Sequence, residues 1–308
     1  MRHRLEYAAV AVVRGVVRIL PDAAVRQLGA LLGLAFYALD RVHRRVAETN
    51  LATAFPKRSA EDRQRITRAM FVHFGRLLLE LLKFSTLDAA GMRQRLEFEG
   101  RERAESAYAQ GKGVLFVTGH FGFWEIHAIG HGLELQPIGV LARALDNPYL
   151  NTLLEQVRGS SGNFVIYRHG AVRKVLRALA AGQGVAMLID QHMHSPDAIY
   201  VDFFERPAAT TSMLAALALR TGAPVVPVFA LPLSGGRYRL IYEHAVPPPD
   251  QDSPDAVREF TQRCTDVLEM YVRRHPSQWL WMHRRWRDAP LPEGTPGMFP
   301  SARADEGE

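Results

Sequence analysis

Between residues 96 and 242 the chain switches repeatedly between short apolar runs and helical periodicity, and this alternation limits its fold more than any other feature. Residues 96–99, 114–118, 138–142, 164–167, 185–189, 225–229 and 238–242 are four- or five-residue runs rich in Val, Ile, Leu, Phe and Tyr. Runs of that length bounded by turn residues read as strands. Between or after them, residues 101–110, 121–133, 148–160, 170–181, 210–220 and 256–274 carry the spacing of amphipathic helices. Strand followed by helix, several times over, predicts an α/β fold whose mostly parallel central sheet is flanked by helices. Residues 191–208 read as a long polar loop, long enough to suspect function.

The first 58 residues differ in texture. They hold ten Lys/Arg against four acids, which accounts for the whole net charge of +6. Residues 5–20 are apolar apart from Glu6 and from Arg14 and Arg18, which lie four apart on one helical face; Pro21 ends the run. Residues 27–39 carry no charge but number only thirteen. A membrane span needs about twenty apolar residues, and no small-residue cleavage site marks a signal peptide. Apolar helices followed by Arg41, Arg44 and Arg45 predict a helical hairpin lying on an anionic membrane surface. The alternative is an amphipathic pair packed on the protein's own core. Residues 59–82 read as a helix capped by Ser59, with a core stripe through Ile66, Met70, Phe74, Leu77, Leu78, Leu81 and Leu82. The expected organisation is a membrane-associating segment (1–58), a catalytic domain (59–290) and a loose tail rich in Pro, Gly and charge (291–308). Neither an RNA-binding signature nor zinc-finger spacing is present, so nucleic acid is not an expected partner. The single cysteine, Cys264, excludes an intramolecular disulfide framework and fits a reducing compartment.

One stretch carries chemistry. The apolar run Val114–Thr118 ends in Gly119 and His120, and Glu125 follows inside the next helical pattern. A strand that ends in Gly delivers the next side chain to the edge of a sheet, where reactive groups gather. With His120 in the turn and Glu125 reaching back from the first helical turn, the carboxylate would fix one imidazole tautomer and leave the other nitrogen as a base. No Gly-x-Ser-x-Gly element supplies a nucleophile nearby, so such a base would act on a substrate hydroxyl. Asp190 ends another strand, either on the ligand-binding edge or as a loop anchor. A rival metallohydrolase reading would use His120, His127, His131, His192, His194 and Asp197. It lacks His-Glu-x-x-His and an evident third ligand, so neither a metal nor another cofactor is expected.

The segment GHFGFWE resembles the His-x-x-x-x-acid motif of glycerolipid acyltransferases, in the form found in the bacterial lipid A late acyltransferases. Further segments are similar in the same order. They are residues 48–56 (ETNLATAFP), Arg143 with Asp146-Asn147-Pro148, Arg168, Asp190-Gln191-His192, Phe203-Phe204 through Thr210-Thr211, residues 222–227 and residues 278–286 (QWLWMHRRW). Phe123 and Glu205-Arg206 depart from the family pattern, which has Asn and a glycine-leading stretch there. The resemblance implies a glycerolipid acyltransferase-like fold and catalysis by His120 and Glu125 without an acyl-enzyme. It implies an acyl-thioester donor on acyl carrier protein or coenzyme A, and an acceptor hydroxyl on a lipid A precursor or related membrane glycolipid. On this reading Arg143, Arg168 and Asp190 bind substrate, the two arginines holding acceptor phosphates or the tetrahedral oxyanion; the plainer alternative is a pair of solvated surface arginines. The expected location is the cytoplasmic face of the inner membrane. The alternatives are a phosphatidylinositol-mannoside or other glycolipid or lysophospholipid acyltransferase and, more remotely, a non-catalytic membrane-binding module.

Overall fold

All seven expected strands form one sheet. The computed structural model describes residues 1–195, 198–250 and 253–287; Asp197 and the expected tail at 291–308 lie outside the described residues. Four helices lead the chain, α1 (Arg2–Ile19), α2 (Asp22–Leu39), α3 (Arg41–Ala54) and α4 (Ala60–Phe84), followed by the short α5 (Ala89–Arg93). Strand and helix then alternate through β1 (Leu96–Glu99), α6 (Arg101–Tyr108), β2 (Val114–Thr118), α7 (Trp124–Glu134), β3 (Ile138–Ala142), α8 (Pro148–Gly159), β4 (Phe164–Tyr167), α9 (Ala171–Ala180) and β5 (Gly184–Leu188). The remaining elements are β6 (Ala198–Asp202), β7 (Pro207–Thr211), α10 (Met213–Thr221), β8 (Val225–Pro232), β9 (Tyr238–Tyr242) and α11 (Ala256–Arg274).

The main sheet runs β1-β9-β8-β2-β5-β3-β4. Every pairing in it is parallel except β8 with β9, which are joined by a short connection that permits an antiparallel return. Strand β2 lies near the middle and is buried at every position, as a strand covered by helices on both faces must be. Strands β2, β5, β3 and β4 all point the same way, so the loops after them share one edge.

The expected loop at residues 191–208 is in part a hairpin. Strands β6 and β7 pair antiparallel from Ala198↔Thr211 to Asp202↔Pro207. Its turn closes with the Phe203 N–H donating to the Arg206 carbonyl at 2.9 Å. Phe204 (φ 56°) and Glu205 (φ 60°) both occupy the left-handed region, the geometry of a two-residue type I′ turn. Such turns favour Asn-Gly, and Phe-Glu gives no such signal, so the hairpin was not visible in the sequence. The Glu205 side chain is 93% exposed, so Glu205→Gly removes backbone strain and little else. This substitution should raise stability by about 0.5–1 kcal/mol, after the greater freedom of glycine in the unfolded chain is subtracted. A differential scanning experiment should show Tm higher by about 2 °C.

The N-terminal helices pack in part on the protein's own body. On one side α2 lies against α4 through glycines: a Cβ on Gly33 would sit 2.2 Å from the Phe71 carbonyl oxygen, and one on Gly75 2.3 Å from that of Gly29. On the other side Val12, Ile19, Leu31, Phe36 and Leu39 are all more than half exposed. No helix among the described residues is long and apolar enough to cross a membrane.

Helix α3, not separately predicted, is built into the main body. Ala47, Leu51 and Ala54 share a core with Trp279, Trp281 and Trp286. The buried Asn50 donates to the Trp281 carbonyl at 2.8 Å and to that of His283 at 2.7 Å, tying residues 48–56 to the C-terminal block. Two histidines of the rival metal reading are core groups. His131 places Nε2 2.9 Å from the Tyr108 hydroxyl and Nδ1 3.0 Å from the Tyr242 hydroxyl. His127 is buried beside Tyr242, and burial pushes its imidazole down to about 3, so it stays neutral.

Candidate active site

His120 lies in the turn between β2 and α7, and its partner comes from the neighbouring strand. Strands β2 and β5 pair in register with Thr118 opposite Leu188, which carries position 120 opposite position 190. The Asp190 carboxylate accepts from the His120 ring at Nδ1 (2.8 Å, Oδ1) and from the His120 backbone N–H (2.6 Å, Oδ2). Trp279 Nε1 donates to the same Oδ2 at 2.8 Å. Asp190 is 3% exposed. Burial pushes its carboxyl up, but the His120 charge, the His120 hydrogen bonds and the Trp279 N–H outweigh it and hold the group below the ordinary aspartate range. Gly119 makes this approach possible, because a Cβ there would sit 2.8 Å from Asp190 Oδ2.

With Nδ1 donating to Asp190, the other imidazole nitrogen is the basic one. Nε2 lies 3.3 Å from the Gln191 side-chain amide, in a ring 22% exposed and edge-on to Trp124. The C-terminal block closes the back of the site. Leu280 N–H donates to the His120 carbonyl at 3.1 Å, and Gly122 N–H to that of Gln278 at 2.9 Å. Buried Arg285 donates to the Ala209 carbonyl and to Thr210 Oγ1, each at 2.5 Å, and to the Gln191 carbonyl at 3.3 Å. Arg285 therefore fixes the loop after β5 against the β6–β7 hairpin.

Glu125, expected to orient His120, does something else. Helix α7 starts only at Trp124, so His120 stands outside the helix that carries Glu125. The Glu125 carboxylate takes a two-pronged pair from Arg158 of α8, at 2.9 and 2.5 Å, with side chains 10% and 11% exposed. The carboxylate hydrogen-bonded to His120 is Asp190, a pairing set by strand order, which no local pattern reveals. Arg143 is exposed and paired with Asp146 at 2.6 Å. Arg168 is exposed just beyond β4. Both stand on the same sheet edge as His120, but two and three strands away, roughly 10 and 14 Å by strand spacing. Asn147 caps α8 through Tyr149 N–H and Leu150 N–H, and its amide also donates to the His3 carbonyl and to Glu6, so it anchors α1. Arg158 carried no sequence signal, and Gln191 and Trp279 lay in family-like segments without an assigned role. Cys264 is buried and its thiol is pushed up to about 12, chiefly by that burial, so it is no nucleophile.

The family model described as bacterial lipid A biosynthesis acyltransferase matches residues 1–288. The chain belongs to this family. Among curated lipid A acyltransferases it is 27% identical over 282 residues to the lipid A biosynthesis lauroyltransferase of Escherichia coli, covering 91% of this chain and 90% of that one. To the E. coli lipid A biosynthesis myristoyltransferase it is 25% identical over 263 residues (85% and 79%). A more distant relative is the phosphatidylinositol mannoside acyltransferase of Mycolicibacterium smegmatis, 23% identical over 274 residues (88% of each chain). As a lipid A acyltransferase family member the chain is an acyltransferase.

Proposed function

We propose that the protein transfers a fatty acyl chain from an acyl-thioester, on acyl carrier protein or coenzyme A, to a hydroxyl of a lipid A precursor or a related glycolipid. The observation that carries this reading is the pinned imidazole: His120 Nδ1 is held by buried Asp190, while Nε2 faces only an amide. His120 Nε2 takes the proton of the acceptor hydroxyl as its oxygen attacks the thioester carbon. Asp190 stabilises the imidazolium. The tetrahedral intermediate collapses with loss of the C–S bond, and the thiolate leaves with the proton returned by His120. The side chains hydrogen-bonded to the imidazole are Asp190 and Gln191, neither a nucleophile, which supports direct transfer without an acyl-enzyme. Glu125 serves through Arg158, holding α7 against α8. Arg143 and Arg168 contact substrate farther along the edge in this reading.

The exposed apolar faces of α1 and α2, beside the basic excess of the first 58 residues, support docking on an anionic membrane, the cytoplasmic face of the inner membrane in this reading. The test is a panel of donors and acceptors. Labelled acyl carrier protein and coenzyme A thioesters are offered with a lipid A precursor, a lysophospholipid and a phosphatidylinositol mannoside in vesicles. Transfer to the lipid A precursor above the others is the expected result; preferred transfer to the mannoside selects the second relative's class. No acylated product from any pair would overturn the reading.

A further inference from the structure

A cavity of about 350 Å³ opens beside the active site, within the size range of small-molecule sites. Its wall carries His43 of α3, His192 and His194 from the loop after β5, and His283, Arg284 and Arg287 from the C-terminal block. The remaining lining side chains among the described residues, Val42, Val46 and Met282, are apolar. Asp40 lies 2.7 Å from Nδ1 of the lining His43. The His192 and His194 rings stack edge to face at 4.3 Å. His283 Nδ1 is buried without a hydrogen-bond partner.

The cavity wall adjoins the chain segment that carries Asp190 and Gln191. His192 directly follows Gln191, whose amide approaches His120 Nε2, and both follow Asp190. His283 lies close enough to His120, Asp190 and His192 to feel their charges. Three separate chain segments thus bring two guanidinium groups and four imidazoles into one concavity next to the general base. Guanidinium groups pair with phosphate oxygens through parallel N–H donors, and imidazoles supply further N–H donors. The apolar residues provide a floor for a sugar or pantetheine body rather than for a bare ion.

We propose that this cavity binds a phosphate ester borne by one of the two substrates, gripped by Arg284 and Arg287 and by the surrounding histidines. The proposal rests on the acyl-transfer reading and adds to it the place where a substrate phosphate is held. The same chemistry is offered by a sugar phosphate of the acceptor and by the phosphate of the donor's pantetheine arm.

The test uses the full chain and the double variant Arg284→Gln/Arg287→Gln. Four substrates separate the two sources: a phosphorylated lipid A precursor and the same lipid after phosphatase treatment, with lauroyl-coenzyme A and the phosphate-free lauroyl-N-acetylcysteamine thioester. In the double variant KM for the phosphate-bearing substrate should rise about ten-fold or more, with kcat within about three-fold. Removing that phosphate should raise the wild-type KM by a similar factor, and the two proteins should then have the same KM. Divergence in the acceptor arm assigns the phosphate to the acceptor, and divergence in the donor arm assigns it to the donor. The double Arg→Lys variant should recover part of the loss, because charge is kept while the paired donors are not. Equal KM values for both proteins on all four substrates overturn the proposal, as does a loss confined to kcat. Should the wild type transfer no acyl group at all, the catalytic reading fails by itself. Binding of glucosamine 1-phosphate against glucosamine, measured by calorimetry on both proteins, then decides the cavity: stronger binding of the phosphate to the wild type supports it, and equal binding overturns it.

Discussion

His120→Gln should lower kcat for acyl transfer by about 10³-fold or more while leaving the melting temperature essentially unchanged. The imidazole ring is partly exposed and among the described residues its side-chain bonds run to Asp190 and Gln191, so its loss removes chemistry rather than core packing. Asp190→Asn should cost about 10²- to 10³-fold in kcat by a different route. Oδ2 accepts from two donors, the His120 backbone N–H and Trp279 Nε1. In asparagine only the carbonyl oxygen can satisfy them, so the amide NH₂ turns toward His120 Nδ1. Nδ1 must then accept, the ring proton moves to Nε2, and the nitrogen facing the substrate is no longer a base. Steady-state thiol release, with circular-dichroism melts run in parallel, checks both variants. A kcat for Asp190→Asn within about three-fold of the wild type would show that another group orients the imidazole.

Glu125→Leu should destabilise the fold by about 3–5 kcal/mol, because it strands the Arg158 guanidinium in a site where it is 11% exposed. Urea denaturation would show a markedly lower midpoint. The double variant Glu125→Leu/Arg158→Leu should recover most of that loss, since two apolar side chains of adequate size leave no uncompensated charge. If Glu125 acts through α7 and α8 alone, kcat per folded molecule in the double variant stays within about ten-fold of the wild type. A stable double variant with kcat down by 10²-fold or more would instead return Glu125 to direct service at the imidazole.

These two variants also mark where the sequence was legible. The strand at Val114–Thr118 and the histidine after its glycine stood out because a fully buried parallel strand is a continuous apolar run with a sharp end. The carboxylate that pairs with His120 did not. Asp190 ends its strand as plainly as His120 does, yet their meeting depends on β2 and β5 being neighbours, and 65 residues of chain separate those strands. Periodicity reports which face is buried and leaves strand order open. The nearest acid in sequence, Glu125, therefore took the orienting role in the sequence reading. The β6–β7 hairpin was missed for a chemical reason, since its type I′ turn is built from Phe204 and Glu205 rather than Asn-Gly. Trp279 and Trp281 are buried, and Trp279 also donates to Asp190. At the N-terminus the glycine contacts of α2 with α4 show packing on the protein's own body, while apolar side chains of α1 and α2 also stay exposed.

The central claim is direct transfer by a base held by Asp190, and intact-mass spectrometry of the enzyme during a single turnover tests it most directly. The full chain is mixed with lauroyl-thioester, first without and then with the lipid A precursor. The account predicts an unchanged enzyme mass in both samples, one acylated lipid formed per thiol released in the second, and no lipid product with His120→Gln. An enzyme heavier by one lauroyl group without acceptor, returning to its original mass as lipid product appears, would contradict it.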